Sequence, residues 1–377
     1  MSKVQTDVVI VGGGLVGCAA ALQLRERGAS VAVVEKNQLG AAASGVNFGG
    51  VRRNGRKLAE LPIAARALKV WKRLPELVGS DCEYEITGNI KVARTEEDLE
   101  QIAAHAEAQA EYGVEVQMLG RNTLRDRYPW LGPSAVGAAY CPSDGQANPR
   151  LVGPAFARAA RAAGAELIEL DGARHVERDG SGFVVETESG RTLRGGALIN
   201  SSGAWGARLA ARFGEQVEIW PMEPQMIVTE PAPYFMVPVL AVVGGDVYAR
   251  QIPRGNVIFG GRSGTADLDV GFAKVNAEES LTTLARTIEI IPRIAELSVI
   301  RFWSGVEGCT PDHLPVLCPS RTTPGLVHAF GFSGHGFCLG PASGAVAAEL
   351  ALDGRTETPI EGFDVGRFAE AQPEAAS

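Results

Sequence analysis

The stretch VVIVGGGLVGCAAALQLRERGASVAVVEK, Val8 to Lys36, constrains this chain more than any other. Val8–Val11 is a β-branched run of the kind that a parallel strand buries on both faces. Gly12, Gly14 and Gly17 follow in the pattern G-x-G-x-x-G. Gly12 permits a tight turn, Gly14 lets the backbone approach a pyrophosphate, and Gly17 lets the next helix pack close to the strand. Apolar spacing predicts that helix over Leu15–Arg27, stopped by Gly28. A second buried strand, Val31–Val34, ends at Glu35, 23 residues after Gly12, where an acid grips a ribose hydroxyl. The helix N-terminus turns free N–H groups and a positive dipole end toward the phosphates. The unit predicts a dinucleotide site made by Gly12, Gly14, Leu15, Val16, Gly17 and Glu35. Lys36 stands beside it, as part of the site or as a solvated charge.

The 377 residues are 45% hydrophobic, enough for two ordinary globular domains. A net charge of −8 argues against a nucleic-acid partner, and the densest basic cluster, Arg52–Lys57, is short and isolated. No run of about 20 apolar residues predicts a membrane-spanning helix. The N-terminus carries no leader pattern and passes straight into the first strand. The six cysteines (Cys18, Cys82, Cys141, Cys309, Cys318, Cys338) form no C-x-x-C pair, and the five histidines have no ligand spacing. No metal site is expected, and a cytoplasmic protein with reduced thiols is. The closing EAQPEAAS reads as a disordered tail.

Along the chain, Arg56–Leu77 has helical periodicity. The segment from Glu83 reads as strand, turn at Gly88–Asn89 and strand, then a helix over Glu96–Tyr112. A helix is expected over Pro149–Ala163, a strand over Glu166–Leu170, a hairpin turning at Ser189–Gly190, and a buried strand at Ala197–Asn200. Met222–Gly264 is strand-rich, with turns at Gly244–Gly245 and Gly255–Asn256. Ala277–Ile291 is helical, and the C-terminal part reads as strand, glycine loop and a helix from about Gly340–Pro341, ending at Gly354. The βαβ signals near the start, middle and end predict two interleaved domains. One spans 1–80, 146–220 and 303–366 and holds the nucleotide. The other spans 81–145 and 221–302 and binds substrate, with 367–377 as the tail.

Four pieces together resemble the FAD-dependent amino-acid and amine oxidoreductases, the family of D-amino acid, glycine and sarcosine oxidases. They are the Val8–Glu35 unit, LINSSGAWG at Leu198–Gly206, WSGVEGCTPDHLPVL at Trp303–Leu317, and GFSGHGFCLGPASG at Gly331–Gly344. The resemblance implies an α/β fold: a Rossmann-like FAD-binding domain interleaved with a substrate domain on a large mixed β-sheet. It implies oxidation of an amino-acid C–N bond, hydride leaving Cα for flavin N5 and the imine being hydrolysed. By position, Ser44 and Gly45 meet the diphosphate, Val176 meets adenine through its backbone, and Ser202–Gly203 lies under the ribose and phosphate. Gly334, His335, Gly336 and Phe337 run along the flavin ring, and the dipole of the following helix would stabilise the reduced ring.

On the same resemblance Tyr248 is the substrate-side tyrosine. The carboxylate-binding arginine of the D-amino acid and glycine oxidases is replaced by Glu307, so either another cation (Arg52, Arg53, Arg250 or Arg262) holds the carboxylate or the substrate differs. Arg52 is the first choice, and Glu307 could attract an ammonium or secondary amine. Gly305 stands where monomeric sarcosine oxidases have their flavin-linking cysteine, which implies non-covalent FAD. Ile258 stands where those oxidases have an oxygen-activating lysine, which favours a dehydrogenase with another acceptor. GVEGCTPDHLP is also similar to catalytic β subunits of heteromeric proline, hydroxyproline and glycine dehydrogenases, including the hydrogen cyanide synthases. That implies partner subunits carrying further redox centres and a cyclic or N-substituted substrate. The alternative is an electron-transfer or assembly subunit with little activity alone.

Overall fold

Lys3–Val11 lies inside an eight-stranded sheet because its residues are apolar on both faces: Val8, Val9 and Ile10 are all buried. It pairs in parallel with Val31–Val34 on one side and Thr192–Asn200 on the other. The spatial order is Val316–Pro319, Leu326–Phe330, Thr192–Asn200, Lys3–Val11, Val31–Val34, Glu166–Ile168. Gly182–Thr187 and Ala173–Asp179 extend from Thr192–Asn200 as an antiparallel meander. This computed structural model describes residues 3–271 and 273–371, apart from the side chains of 3, 262, 263 and 369–371.

The helices Leu15–Glu26, Leu61–Trp71, Pro149–Ala162 and Gly336–Asp353 share one core with this sheet. Gly336–Asp353 is apolar on nearly all sides and is almost wholly buried, as such a helix must be. It approaches Leu15–Glu26 closely: a Cβ on Gly344 would stand 2.6 Å from the Ala20 amide nitrogen. A second core includes Val9, Val11, Val34, Phe183 and Leu209.

A nine-stranded mixed sheet stands beside the first, in the order Val299–Ser304, Trp220–Pro231, Asn256–Thr265, Val247–Gln251, Val239–Val242, Asn89–Ala93, Gly137–Cys141, Gln117–Gly120. Glu307–Cys309 also pairs with Trp220–Pro231, setting Met222 opposite Glu307. Its core includes Ile90, Ile227, Leu240 and Phe259. The Trp303 indole donates to the Val46 carbonyl (2.8 Å), tying this sheet to the glycine-rich segment after Val31–Val34.

Several expectations shift. The Arg56–Leu77 helix divides into Leu58–Glu60, Leu61–Trp71 and Leu74–Val78, because Pro62 and Pro75 each occupy a first turn, where a missing N–H costs nothing. The Gly88–Asn89 hairpin is a single strand, Asn89–Ala93; Glu85 instead bridges Gln146. The C-terminal helix begins at Gly336 rather than Gly340, with His335 as its cap and Pro341 inside it. Val365–Ala371 forms a 3-10 turn anchored by the Arg367 guanidinium on Asp312 (2.7 Å), so residues 367–371 are not the expected tail; the rest of that segment, 372–377, lies outside the described residues.

Candidate active site

The loop after Lys3–Val11 is shaped by close approaches. Gly12 has φ +104°, and a Cβ there would come 2.4 Å from the Ser201 carbonyl oxygen. A Cβ on Gly17 would stand 2.0 Å from the Gly12 oxygen, so only glycine lets the helix seat on the turn. The Ser44 hydroxyl accepts from the Leu15 amide at 2.9 Å, which holds the glycine-rich segment against the helix N-terminus. Glu35 is fixed at both oxygens: Oε2 accepts from the Gly13 amide and Oε1 from the Asn37 amide, each at 2.8 Å. Each oxygen retains capacity for a hydroxyl donor, as a ribose diol requires.

Across the cavity, the turn Ser201–Gly203 is supported from behind. Ser201 donates to the Gly12 carbonyl (2.8 Å), and Ser202 to the Asn200 side-chain oxygen (2.6 Å). The Asn200 amide meets His328 Nδ1 at 3.3 Å, and His328 Nε2 lies 2.8 Å from Glu215. Asn200 can only donate here, so Nδ1 accepts and the imidazole is the neutral Nε2–H tautomer. Glu215 also accepts from the Ser320 hydroxyl (2.6 Å) and the Arg321 amide (2.7 Å). Burial pushes its carboxyl up, but these donors outweigh that and hold it below the usual range. Lys36 is exposed at the edge of this cavity, with its ammonium 3.0 Å from the Trp205 ring centroid, and partial burial lowers its pKa.

The cavity continues to the loop before Gly336–Asp353. Ser333 adopts φ +50°, its amide bonded to the Gly308 carbonyl (3.1 Å) and its hydroxyl accepting from the Thr310 amide (3.1 Å). Gly334 follows at φ +81°; a Cβ there would stand 3.5 Å from Glu307 Oε2. Burial pushes the Glu307 carboxyl up to about 7, and no hydrogen-bond donor among the described residues meets it. The Tyr248 hydroxyl is raised by burial and by Glu307, and its ring lies edge-on to Phe48, centroids 4.7 Å apart.

Of the residues expected at the cofactor, Gly12, Gly14, Leu15, Val16, Glu35, Lys36, Ser44, Val176, Ser202, Gly203, Gly334, Gly336 and Phe337 line one cavity, and Glu307 is part of the same wall. Gly17 and Gly45 lie behind it. His335 is not on this wall. It caps the helix and its Nδ1 meets Glu60 at 2.7 Å. Burial and the Arg56 charge push the imidazole down to about 4.

The four candidate arginines separate. Arg52 donates to the Asn54 carbonyl (2.6 Å) beside Arg56, away from the cavity wall. Arg53 reaches the Gly113 carbonyl (3.2 Å) and Ser143 (3.1 Å). Arg250 shares the strand face of Tyr248, two residues on, and neither is part of the cavity wall described above. Its guanidinium is 5.6 Å from the Phe48 centroid, donates to Gln146 and the Ala147 carbonyl, and has no carboxylate within salt-bridge reach among the described residues. Its buried Nε has no partner. The Arg262 side chain lies outside the described residues.

The cavity suits a flavin dinucleotide on its own geometry. Bare glycine backbone lines it at Gly12, Gly14, Gly203 and Gly334, a helix N-terminus opens on it, and Glu35 and Ser202 offer polar atoms. Among the described residues no cluster of histidine, cysteine, aspartate and glutamate is placed to hold a metal, and no helix is long and apolar enough to cross a membrane.

Comparison with known proteins agrees. The family model described as FAD dependent oxidoreductase matches residues 7–350. The chain is 31% identical to a glycine oxidase of Geobacillus kaustophilus, covering 96% of each. The crystal structure of glycine oxidase from that organism superposes with a TM-score of 0.89, at 29% identity, covering 96% of this chain and 99% of that one. Hydrogen cyanide synthase subunit HcnC of Pseudomonas aeruginosa is 29% identical, covering 98% of this chain and 97% of its own length. An L-proline dehydrogenase structure from P. horikoshii superposes with a TM-score of 0.90 at 27% identity, covering 98% and 100%. From the glycine turn to the Gly336 helix, the fold and the sequence thus converge on one lineage: this chain belongs to the FAD dependent oxidoreductase family, with FAD as its cofactor.

Proposed function

We propose that the chain oxidises the C–N bond of an amino acid, of cyclic or N-substituted type, and passes the electrons to an acceptor other than oxygen. The observation that carries this reading is Arg250, a buried guanidinium with no ion pair among the described residues and an unpartnered Nε, on the strand face of Tyr248; Glu83 and Glu85 act on its charge only from beyond salt-bridge reach. A buried cation whose nearest carboxylates stand beyond salt-bridge reach is costly, and a substrate carboxylate would supply a direct counter-ion. We therefore assign to Arg250 the role first given to Arg52: Arg52 lies beside the like charge of Arg56 and donates to the Asn54 carbonyl, whereas Arg250 keeps a buried Nε without a partner. Tyr248, with a hydroxyl kept protonated by burial, donates a second hydrogen bond to the same carboxylate.

Within this reading Ser44, Glu35 and the turn Ser201–Gly203 hold the dinucleotide, and Gly334, Gly336 and Phe337 border its ring. His335, bonded to Glu60, fixes the start of the Gly336 helix, whose dipole favours negative charge nearby. Bound FAD supplies the two-electron acceptor for the Cα–H bond. The residues' part is to bind the carboxylate, orient Cα and exclude water. A partner subunit carrying further redox centres fits the acceptor preference, as HcnC is itself named a subunit.

The test is anaerobic titration of the yellow protein with glycine, sarcosine and both enantiomers of alanine, proline and hydroxyproline. Bleaching of the flavin band by one of them, with slow recolouring in air, is expected. If none of them bleaches a fully loaded protein, the proposal is wrong.

A further inference from the structure

Glu307 is left without a task by the carboxylate-binding scheme, and its surroundings are unusual for a glutamate. It stands on a short strand, Glu307–Cys309, paired with Trp220–Pro231, and this pairing fixes its backbone. Its side chain forms part of the cavity wall and faces the backbone of Gly334. No arginine, lysine or hydrogen-bond donor among the described residues meets the carboxyl. The titratable groups close enough to sense it are the Tyr248 hydroxyl, from the strand Val247–Gln251 of the same sheet, and the Cys309 thiol on its own strand. Glu307 is partly buried and open to the cavity, and a carboxylate there without a protein donor is an arrangement that an incoming cation relieves. Its pKa of about 7 is matched to proton transfer at neutral pH.

The amino acid of the preceding proposal, on which this inference rests, arrives as a zwitterion. Arg250 and Tyr248 meet its carboxylate, which leaves an ammonium to be satisfied. An ammonium has no lone pair with which to form the C=N bond, so it must lose a proton before Cα is oxidised. We infer that Glu307 is the base that accepts this proton. One N–H bond of the ammonium breaks and an O–H bond forms on Glu307. The freed nitrogen pair then forms the C=N bond as the Cα–H bond breaks, its electron pair leaving to the bound FAD. Water hydrolyses the iminium to the oxo acid and the amine.

The experiment uses the FAD-loaded protein, native and Glu307→Gln, with the visible spectrum as the check on loading. The first readout is the anaerobic bleaching rate between pH 5 and pH 9 with the amino acid that reduces the native protein. The native rate is expected to rise about tenfold per pH unit below 7 and then level off. Glu307→Gln is expected to lose the plateau and keep rising toward the pKa of the substrate amine, because only pre-deprotonated amine reacts. Glu307→Asp, which keeps a carboxyl, is expected to retain a plateau. The second readout needs no substrate: the flavin reduction potential against pH, set with equilibrating dyes. A change of slope caused by a carboxyl titrating beside the flavin is expected in the native protein and not in Glu307→Gln. Identical bleaching profiles in the native and Gln proteins, or a potential without any slope change in either, overturn the assignment. A native protein that no amino acid bleaches refutes the amino-acid reading instead, and the base role falls with it.

Discussion

Replacing His328 by leucine tests whether the buried chain behind the Ser201–Gly203 turn does more than fill space. His328 is fully buried and joins Asn200 to Glu215. Leucine roughly conserves the volume, so the loss is polar. Glu215 loses one charge-assisted hydrogen bond, about 1.5–3 kcal/mol, and keeps Ser320 and the Arg321 amide. The Asn200 amide keeps only the Gly206 carbonyl and loses a neutral bond of about 1 kcal/mol. Burying an alkyl chain in place of a polar ring offsets roughly 1 kcal/mol of this. A net loss of about 1.5–3 kcal/mol is expected from urea unfolding of the FAD-loaded protein. Because Asn200 holds the Ser202 hydroxyl, FAD affinity should also weaken about tenfold, read as recovery of free-flavin fluorescence on dilution. Adding Glu215→Gln removes the buried charge, so the double variant should lose less than the sum of the two single variants. An unchanged urea midpoint together with an unchanged FAD affinity refutes the reasoning.

Arg250→Leu should raise the apparent substrate constant about a hundredfold while the flavin band stays, whereas Arg52→Ala should leave that constant within about threefold; steady-state kinetics on the two decides between them. Glu307 carries a pH signature in stability. Its carboxyl is raised from 4.5 to about 7, so between those values the unfolded chain has lost a proton that the folded one keeps, and stability falls as pH rises through the window. Up to about 3 kcal/mol is at stake, so Glu307→Gln should gain stability over the native protein at pH 8 and not at pH 4, by urea unfolding. Gly344→Val drives a side chain into the Ala20 backbone, and we expect a loss above about 3 kcal/mol with poor FAD retention; a normal melting temperature would contradict that packing.

What the sequence disclosed depended on how local each signal was. The G-x-G-x-x-G unit carries its glycines, helix and acid within thirty residues, and each sits as the spacing implied. Ser44 and Ser202 were reachable only through resemblance, since their partners, the Leu15 amide and Asn200, come from tertiary packing. The buried chain Asn200–His328–Glu215 joins three distant segments and was missed. Its one local sign was a histidine inside the apolar run LVHAF, where an imidazole must find partners. Trp205 under Lys36, and Arg56 beside Glu60 and His335, were missed for the same reason. The split of Arg56–Leu77, by contrast, was written in Pro62 and Pro75 and could have been read.

The eight-stranded sheet also sets an order of events during synthesis. Lys3–Val11 and Val31–Val34 leave the ribosome well before the strands beside them: Lys3–Val11 finds its other neighbour only at Thr192–Asn200, and that strand finds its own at Leu326–Phe330. The helix that packs on Leu15–Glu26 comes later still, at Gly336–Asp353. The growing chain therefore carries the Gly12–Gly17 side of the cavity for most of translation before the segments that form its other walls, Ser201–Gly203 and Ser333–Phe337, are made. FAD capture becomes a step taken by the finished polypeptide, and a cell short of flavin would accumulate full-length apoprotein awaiting its cofactor rather than stalled fragments.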